Sequence, residues 1–235
     1  MNGVCAMKRL VIIPAYNEEE NISNTIKDII MHCPNIDYIV INDCSKDRTE
    51  QILKENGMHY ISLPCNLGIG GGVQTGYQYA CEHGYDIAIQ FDGDGQHEAR
   101  YLKDLMAPIE AGEADITIGS RFIRREGFQS TGIRRFGINF LSGMIKLLCG
   151  IRVLDVTSGM RAVNRRFIEQ YARDYTQDYP EPEAIIAAAK SGGRIIEVPV
   201  EMRERQGGTS SISPVRSIYY MIKVTLALIL ARFSS

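Results

Sequence analysis

Short apolar, β-branched runs alternate with stretches of helical periodicity along the first 91 residues, and that rhythm constrains the fold more tightly than any other feature. Residues 8–13 (KRLVII) read as a buried strand that ends at Pro14. A helix is expected over 17–30, where Asn17 can cap, acids fill the first turn, and Ile22, Ile26, Ile29 and Ile30 share a face. A strand over 38–42, a helix over 45–56 stopped by Gly57, and a strand over 58–63 follow. A glycine-rich turn then leads to a helix over 72–83 and a fourth strand over 86–91. Strands joined so closely through helices form a mostly parallel sheet with helices on both faces, an α/β fold of Rossmann type. The second half is less regular. Helices are expected over 99–111, 168–171 and 183–191, strands over 115–119 and 194–200, and an amphipathic or apolar helix from Ser213.

The chain has 235 residues, 45% hydrophobic and 23% charged, enough for one large core and unlike a disordered or fibrous protein. A net charge of −2 supplies no basic footprint, so no nucleic-acid partner is expected. The six cysteines have no CxxC spacing and no histidine pair to complete a zinc set; reduced, mostly buried thiols in a cytoplasmic protein are expected. The start MNGVCAMKRL does not read as a signal peptide.

Ligands of open parallel sheets bind beyond the carboxyl ends of the strands. The residues that follow the strands are PAYNE at 14–18, NDCS at 42–45, the turn at 66–72, and DGD at 92–94. PAYNE is not a dinucleotide fingerprint, which argues against NAD or FAD. GIGGG at 68–72 lacks the Lys-Ser/Thr of a P-loop; a tight turn feeding a helix accounts for it, as does close approach of a flat base to the backbone. Asp92 and Asp94, with Gly93 between them, can converge on one divalent cation, and hard carboxylate oxygens suit Mg²⁺ or Mn²⁺ with substrate phosphates as further ligands. DxD is common in turns, but here it follows the fourth strand at the same sheet edge as Asp43, with Gln96 and His97 within reach.

VIIPAYNEEENI, INDCSKDRT, NLGIGGGVQTGYQYA, FDGDGQH, IGSRF, DVTSGMRAVNRR and EVPVEMRERQGGTSS together resemble glycosyltransferase family 2, with its GT-A fold, over residues 8–212. FDGDGQH followed by GSRF and TSGMR is most similar to the polyprenyl-phosphate sugar transferases of dolichol-phosphate mannose synthase type. The resemblance implies a GT-A domain over 1–212 and an appended helix over 213–235. It implies that Pro14, Tyr16 and Glu18 line a nucleoside pocket, that Asp43 contacts the base, and that backbone near Gly71 closes over it. Asp92, Gly93 and Asp94 would hold the metal and diphosphate, with Gln96 completing the metal site. Arg121 would grip an acceptor phosphate, aided by Arg134 or Arg135; Ser158, Gly159 and Arg161 would lie near the acceptor, and Arg205 and Ser210 would close over the donor phosphates. A UDP-sugar is favoured over a GDP-sugar as donor, and undecaprenyl phosphate is the expected acceptor, attacking the sugar from the far face with inversion at the anomeric centre.

Two departures stand out. Ser210 is followed by Ser211 where the family usually has lysine, so a cation on the phosphates is missing or comes from Arg203 or Arg205. YPEPE at 179–183 offers Glu181 or Glu183 as a general base for a sugar hydroxyl, the alternative acceptor in cell-wall or capsular polysaccharide synthesis; an acid at a helix start explains the same residues.

Residues 121–152 carry seven bases against one acid, Glu126, interleaved with Phe122, Phe128, Phe136, Phe140, Leu141, Met144, Ile145, Leu147 and Leu148. That mixture suits an interfacial helix on anionic lipid, and equally a helix packed on the sheet with solvated arginines. Peripheral contact with the inner face of the cell membrane is therefore expected. The apolar stretch over 218–231 would span ~21 Å as a helix against a ~30 Å hydrocarbon core, so interfacial contact, packing on the domain or homo-oligomerisation is expected of it.

Overall fold

Strand β1 (Arg9–Ala15) is apolar toward both sides of the sheet, and both sides are covered. This computed structural model describes residues 7–124, 126–127, 132–177, 180–203 and 225–226. The other strands are β2 (Asp37–Asn42), β3 (Tyr60–Ser62), β4 (Ile87–Gln90), β5 (Ile116–Ser120), β6 (Arg161–Asn164) and β7 (Ile195–Pro199). They form one 7-stranded sheet in the order β3-β2-β1-β4-β6-β5-β7. The helices are α1 (Ile22–His32), α2 (Thr49–Glu55), α3 (Gly68–Glu82), α4 (Leu102–Glu110), α5 (Gly132–Cys149), α6 (Arg165–Arg173) and α7 (Pro180–Lys190).

Side chains alternate along β1 and so feed two cores. Leu10 and Ile12 join Val73 and Tyr77 of α3, Leu141 and Ile145 of α5, Phe167 of α6 and Ile186 of α7. Val11, Ile13 and Ala15 join Ile22, Ile26 and Ile29 of α1, Leu53 of α2 and Leu105 of α4. Gly76 lets α3 settle onto β1: a Cβ there would lie 2.2 Å from Ile12 Cγ2.

The architecture matches the expected α/β sheet with helices on both faces, but three local expectations need correction and one strand goes beyond them. Asn17 does not cap α1; it has φ 57, and the helix begins at Ile22 with no acid in its first turn. The carbonyl of Glu18 instead accepts the Asn21 and Ile22 N–H groups, which starts the turn. The GIGGG run is helical from Gly68 rather than a turn before residue 72. RAVN at 161–164 is a strand, antiparallel to both β4 and β5, so the sheet is mixed. The described cysteines carry free thiols, yet only Cys33 is buried and Cys65 is exposed. Residues 121–152 contain the 18-residue helix α5. The 213–235 tail lies outside the described residues apart from 225–226. Among the described residues no helix is long and apolar enough to cross a membrane.

Candidate active site at the sheet switch point

The chain leaves β1 toward β2 on one side and returns to β4 on the other, so the carboxyl ends of β1 and β4 border a switch-point crevice. Pro14 opens it. The β1–β4 register runs from Arg9↔Ile87 to Ile12↔Gln90, and the Phe91 N–H still reaches the Ile12 carbonyl at 2.9 Å. The next β1 residue facing that side is Pro14, which has no N–H to offer, and the strands part there.

The Asp92–His97 loop enters this gap. Gly93 crosses Pro14 closely enough that a Cβ would stand 3.1 Å from the Pro14 carbonyl oxygen. Thr25 Oγ1 of α1 donates to the Gly93 carbonyl at 3.3 Å. Gln96 N donates to Asp94 Oδ1 at 3.0 Å, a side-chain turn that Gly95 completes with φ 76. Asp92 is held from three directions. Its N–H donates to His97 Nδ1 at 3.0 Å, the Gln90 amide donates to its Oδ1 at 3.4 Å, and Gly159 lies so near that a Cβ would fall 2.6 Å from Oδ2. The sequence places Gly159 near the acceptor and His97 within reach of the candidate cation site; the fold brings both to Asp92. The loop is also strapped to the chain after β7: Arg203 N donates to Gln96 O at 2.9 Å, and Gln96 Nε2 to Arg203 O at 3.3 Å.

Asp43, at the end of β2, is buried and acts as a remote cap for α3. Its carboxylate accepts the N–H groups of Leu67 at 2.6 Å and Gly68 at 2.9 Å, and α3 has no side-chain cap of its own. Burial pushes the Asp43 pKa up, and these two N–H groups pull it back only in part. The α3 N-terminus therefore already holds an anion, which removes the phosphate-loop reading of GIGGG. Gly70 and Gly71 are packed by protein as well: a Cβ on Gly70 would sit 2.2 Å from Thr176 O, and one on Gly71 2.4 Å from Leu67 Cβ. Tyr16 is 40% exposed at the rim, while Glu18 is buried and accepts from Asn21 Nδ2 at 3.0 Å. Asn17 and Cys44 both adopt left-handed backbone, at φ 57 and 56, braced by Asn17 N to Ser45 Oγ at 3.0 Å and Lys46 N to Asn17 Oδ1 at 2.8 Å. Non-glycine residues held at such angles cluster at functional sites.

Of the arginines expected near the acceptor, Arg121 and Arg161 are buried. Arg121 Nε and Nη2 each meet an Asp155 oxygen at 2.7 Å, and both side chains are buried. Asp155 and Leu154 donate their own N–H groups to Glu197. Arg161 donates to the carbonyls of Ser158, Glu181 and Val156, and Ser158 Oγ accepts from Met160 N. Glu183, in the first turn of α7, accepts from Thr176 Oγ1 at 3.1 Å. Asp155 is the residue that sequence reasoning missed; it lay inside a recognised motif, but nothing in the motif names its partner. Arg134 lies on α5 with its side chain outside the described residues, and so do Arg205 and Ser210 altogether.

No cluster of three or more His, Cys, Asp or Glu able to hold a metal occurs among the described residues. Two carboxylates at a crevice mouth nonetheless fit Mg²⁺ or Mn²⁺, ions commonly held by one or two carboxylates plus substrate phosphates and water.

The family model for glycosyl transferase family 2 matches residues 10–172. The chain belongs to that family. This glycosyltransferase is 28% identical over 227 residues to polyprenol monophosphomannose synthase of Mycolicibacterium smegmatis, covering 92% of this chain and 85% of the relative. It is 34% identical over 212 residues to UDP-N-acetylglucosamine–dolichyl-phosphate N-acetylglucosaminyltransferase of Methanococcus voltae, covering 81% of this chain and 84% of the relative. Its fold matches glucosyl-3-phosphoglycerate synthase from Mycobacterium tuberculosis, solved with Mn²⁺, UDP-glucose and phosphoglyceric acid, at TM-score 0.75 and 20% identity, covering 97% of this chain and 80% of the other. The GT-A architecture expected from the sequence is the one found.

Proposed function

We propose that this glycosyltransferase moves a sugar from a UDP-sugar to a polyprenyl phosphate, with inversion at the sugar. The observation that carries the reading is its likeness, over 92% and 81% of its length, to two enzymes whose names both specify a polyisoprenyl phosphate acceptor or product. The site chemistry supports it. The nucleoside lies along the ends of β1 and β2, between Tyr16 and Asp43, and the diphosphate reaches the Asp92–Asp94 loop. Asp92 and Asp94, with Gln96, would hold Mg²⁺ or Mn²⁺, which would supply positive charge to offset that of the departing diphosphate. Asp43 retains lone pairs beyond those used by Leu67 and Gly68 and accepts the imide N–H of a uracil. A phosphate acceptor is already ionised at neutral pH, so the protein positions it and needs no general base.

Glu183 accepts from Thr176 and sits where a carboxylate answers the positive end of a helix, so we assign it to the α7 start rather than to base catalysis on a hydroxyl. The two relatives name different sugars, and the assay below is built to identify the one used here. Contact with the inner membrane face follows from the acceptor, and the exposed apolar side chains of α5 suit it.

The test is transfer itself. Purified protein is incubated with Mn²⁺, undecaprenyl phosphate and a panel of UDP- and GDP-sugars, and the lipid is weighed by mass spectrometry. A lipid heavier by one sugar, lost in Asp94→Asn and without metal, is the expected result. Nucleotide release into water or onto a sugar hydroxyl, with no lipid product, would overturn the acceptor; a product from GDP-sugars alone would overturn the donor.

A further inference from the structure

The DGDGQH loop closes on itself through one side chain. The Asp92 N–H donates to Nδ1 of His97, five residues later, at 3.0 Å. A neutral imidazole that accepts at Nδ1 carries its proton on Nε2. That Nε2 faces Asp92 Oδ2 at 3.6 Å. A single ring therefore meets both the backbone and the carboxylate of the same aspartate. The ring is itself fixed. The residue is 4% exposed, the ring stands edge-on to Phe91 with centroids 5.2 Å apart, and the His97 backbone bridges to Met202.

We infer that His97 is a positioning residue: by accepting the Asp92 N–H at Nδ1 it sets the direction in which the Asp92 carboxylate leaves the loop, and so the affinity of the site for its divalent cation. The inference rests on the reading of Asp92 as a metal ligand. Of the two contacts, the 3.0 Å bond to Nδ1 is a hydrogen bond and the 3.6 Å approach at Nε2 is too long to be one. The backbone contact is therefore the one that orients. Partners one step behind a metal ligand typically change metal affinity ten- to a hundredfold when removed.

Two conservative variants separate the contacts. The amide of His97→Asn puts an oxygen where Nδ1 stood and keeps the acceptor. The amide of His97→Gln reaches the Nε2 position and keeps only the donor. Mn²⁺ binding to the UDP-saturated protein, read from the electron paramagnetic resonance of free Mn²⁺, reports on the site without turnover. Thermal melting of each variant is recorded alongside. His97→Ala and His97→Gln should weaken Mn²⁺ binding about tenfold or more, and His97→Asn should stay within about threefold of the parent. In transfer, the Mn²⁺ activation constant should rise for Ala and Gln, with maximal rate at saturating metal changed far less.

Asn behaving like Ala would overturn the inference, as would Ala binding Mn²⁺ like the parent. All three variants failing to fold would reduce His97 to packing and overturn it too. Asp92→Asn separates this from the underlying reading. If Asp92→Asn leaves Mn²⁺ binding intact, the metal assignment of Asp92 falls. If it abolishes binding while the His97 variants do not, only the positioning role falls.

Discussion

Arg121 and Asp155 form a two-toothed ion pair inside the protein, with Nε to Oδ2 and Nη2 to Oδ1 both at 2.7 Å and side-chain exposures of 7% and 0%. The Arg121 N–H also donates to Asp155 Oδ2 at 3.2 Å. The pair ties the end of β5 to the loop that leads into β6, and that loop carries Gly159 against Asp92. Arg121 thus braces the loop that packs against Asp92.

Removing one partner strands a buried charge, which costs about 3–5 kcal/mol. Asp155→Asn and Arg121→Met should each lose stability on that scale in urea titrations. Arg121→Lys should also be destabilised, because an ammonium cannot reproduce the planar fork. Loss of transfer by Arg121→Lys with an unchanged urea midpoint would return Arg121 to direct contact with the acceptor.

Gly159→Ala should damage activity far more than stability. The new Cβ would fall 2.6 Å from Asp92 Oδ2 and 2.9 Å from Oδ1, and the carboxylate is the mobile partner that must yield. Displacing a proposed metal ligand predicts at least a tenfold rise in the Mn²⁺ activation constant, with a melting temperature within a few degrees of the parent. An unchanged activation constant would mean that Asp92 does not hold the metal in the orientation seen here.

The early strands and the Asp92–His97 loop were legible because their signals are local. Six consecutive residues of KRLVII describe β1, and DGD directly after an apolar strand describes its own position. The start of α3 was not legible. Each glycine costs a helix about 1 kcal/mol relative to alanine, so a run of them reads as a turn. What forms the helix is tertiary: Asp43 caps it from β2, and residues 176–177 pack where side chains would otherwise stand. β6 was missed because four residues beginning with arginine carry no periodicity, and its burial comes from its neighbours β4 and β5. Motif resemblance marked Arg121 but not its pairing with Asp155, since that partner lies 34 residues away and pairing across that distance is a property of the fold.

Asp115 gives a prediction in pH. It sits at the start of β5, where it accepts from Arg194 N at 2.8 Å and Asn164 Nδ2 at 2.9 Å, and so joins the ends of three strands. Burial raises its pKa, but the backbone and side-chain hydrogen bonds and the charge of Arg194, with the Asn164 amide, more than reverse this, and the carboxyl lies below the usual value. The unfolded chain binds this proton more readily than the native one between the two pKa values. Its contribution is thus complete above about pH 4 and is lost as pH falls through the lower, folded value. Asp115→Asn should be less stable than the parent at neutral pH, and the gap should narrow as pH falls below about 4. A gap constant from pH 7 to pH 3 in denaturant titrations would show that the charge of Asp115 contributes nothing.

Helix α5 presents a second apolar stripe, away from the core. Ile138, Leu141 and Ile145 are buried in the core, whereas Phe136, Phe140 and Leu147 are 75%, 44% and 80% exposed along one side. Lys146 and Arg135 lie beside that stripe, and Arg135 covers the Phe122 ring at 3.5 Å. Three large apolar side chains left in water beside bases suit an anionic lipid surface, where burying each contributes about 1.5–3 kcal/mol. The double variant Phe136→Ser with Leu147→Ser should therefore lose at least about tenfold in binding to anionic vesicles, while stability changes by no more than about 1 kcal/mol because both sites are exposed. Co-sedimentation with vesicles of anionic and of neutral lipid makes the comparison, and raised salt should weaken binding to the anionic ones only. Equal sedimentation of parent and variant with anionic vesicles would place the membrane contact elsewhere on the chain and leave α5 a packing helix.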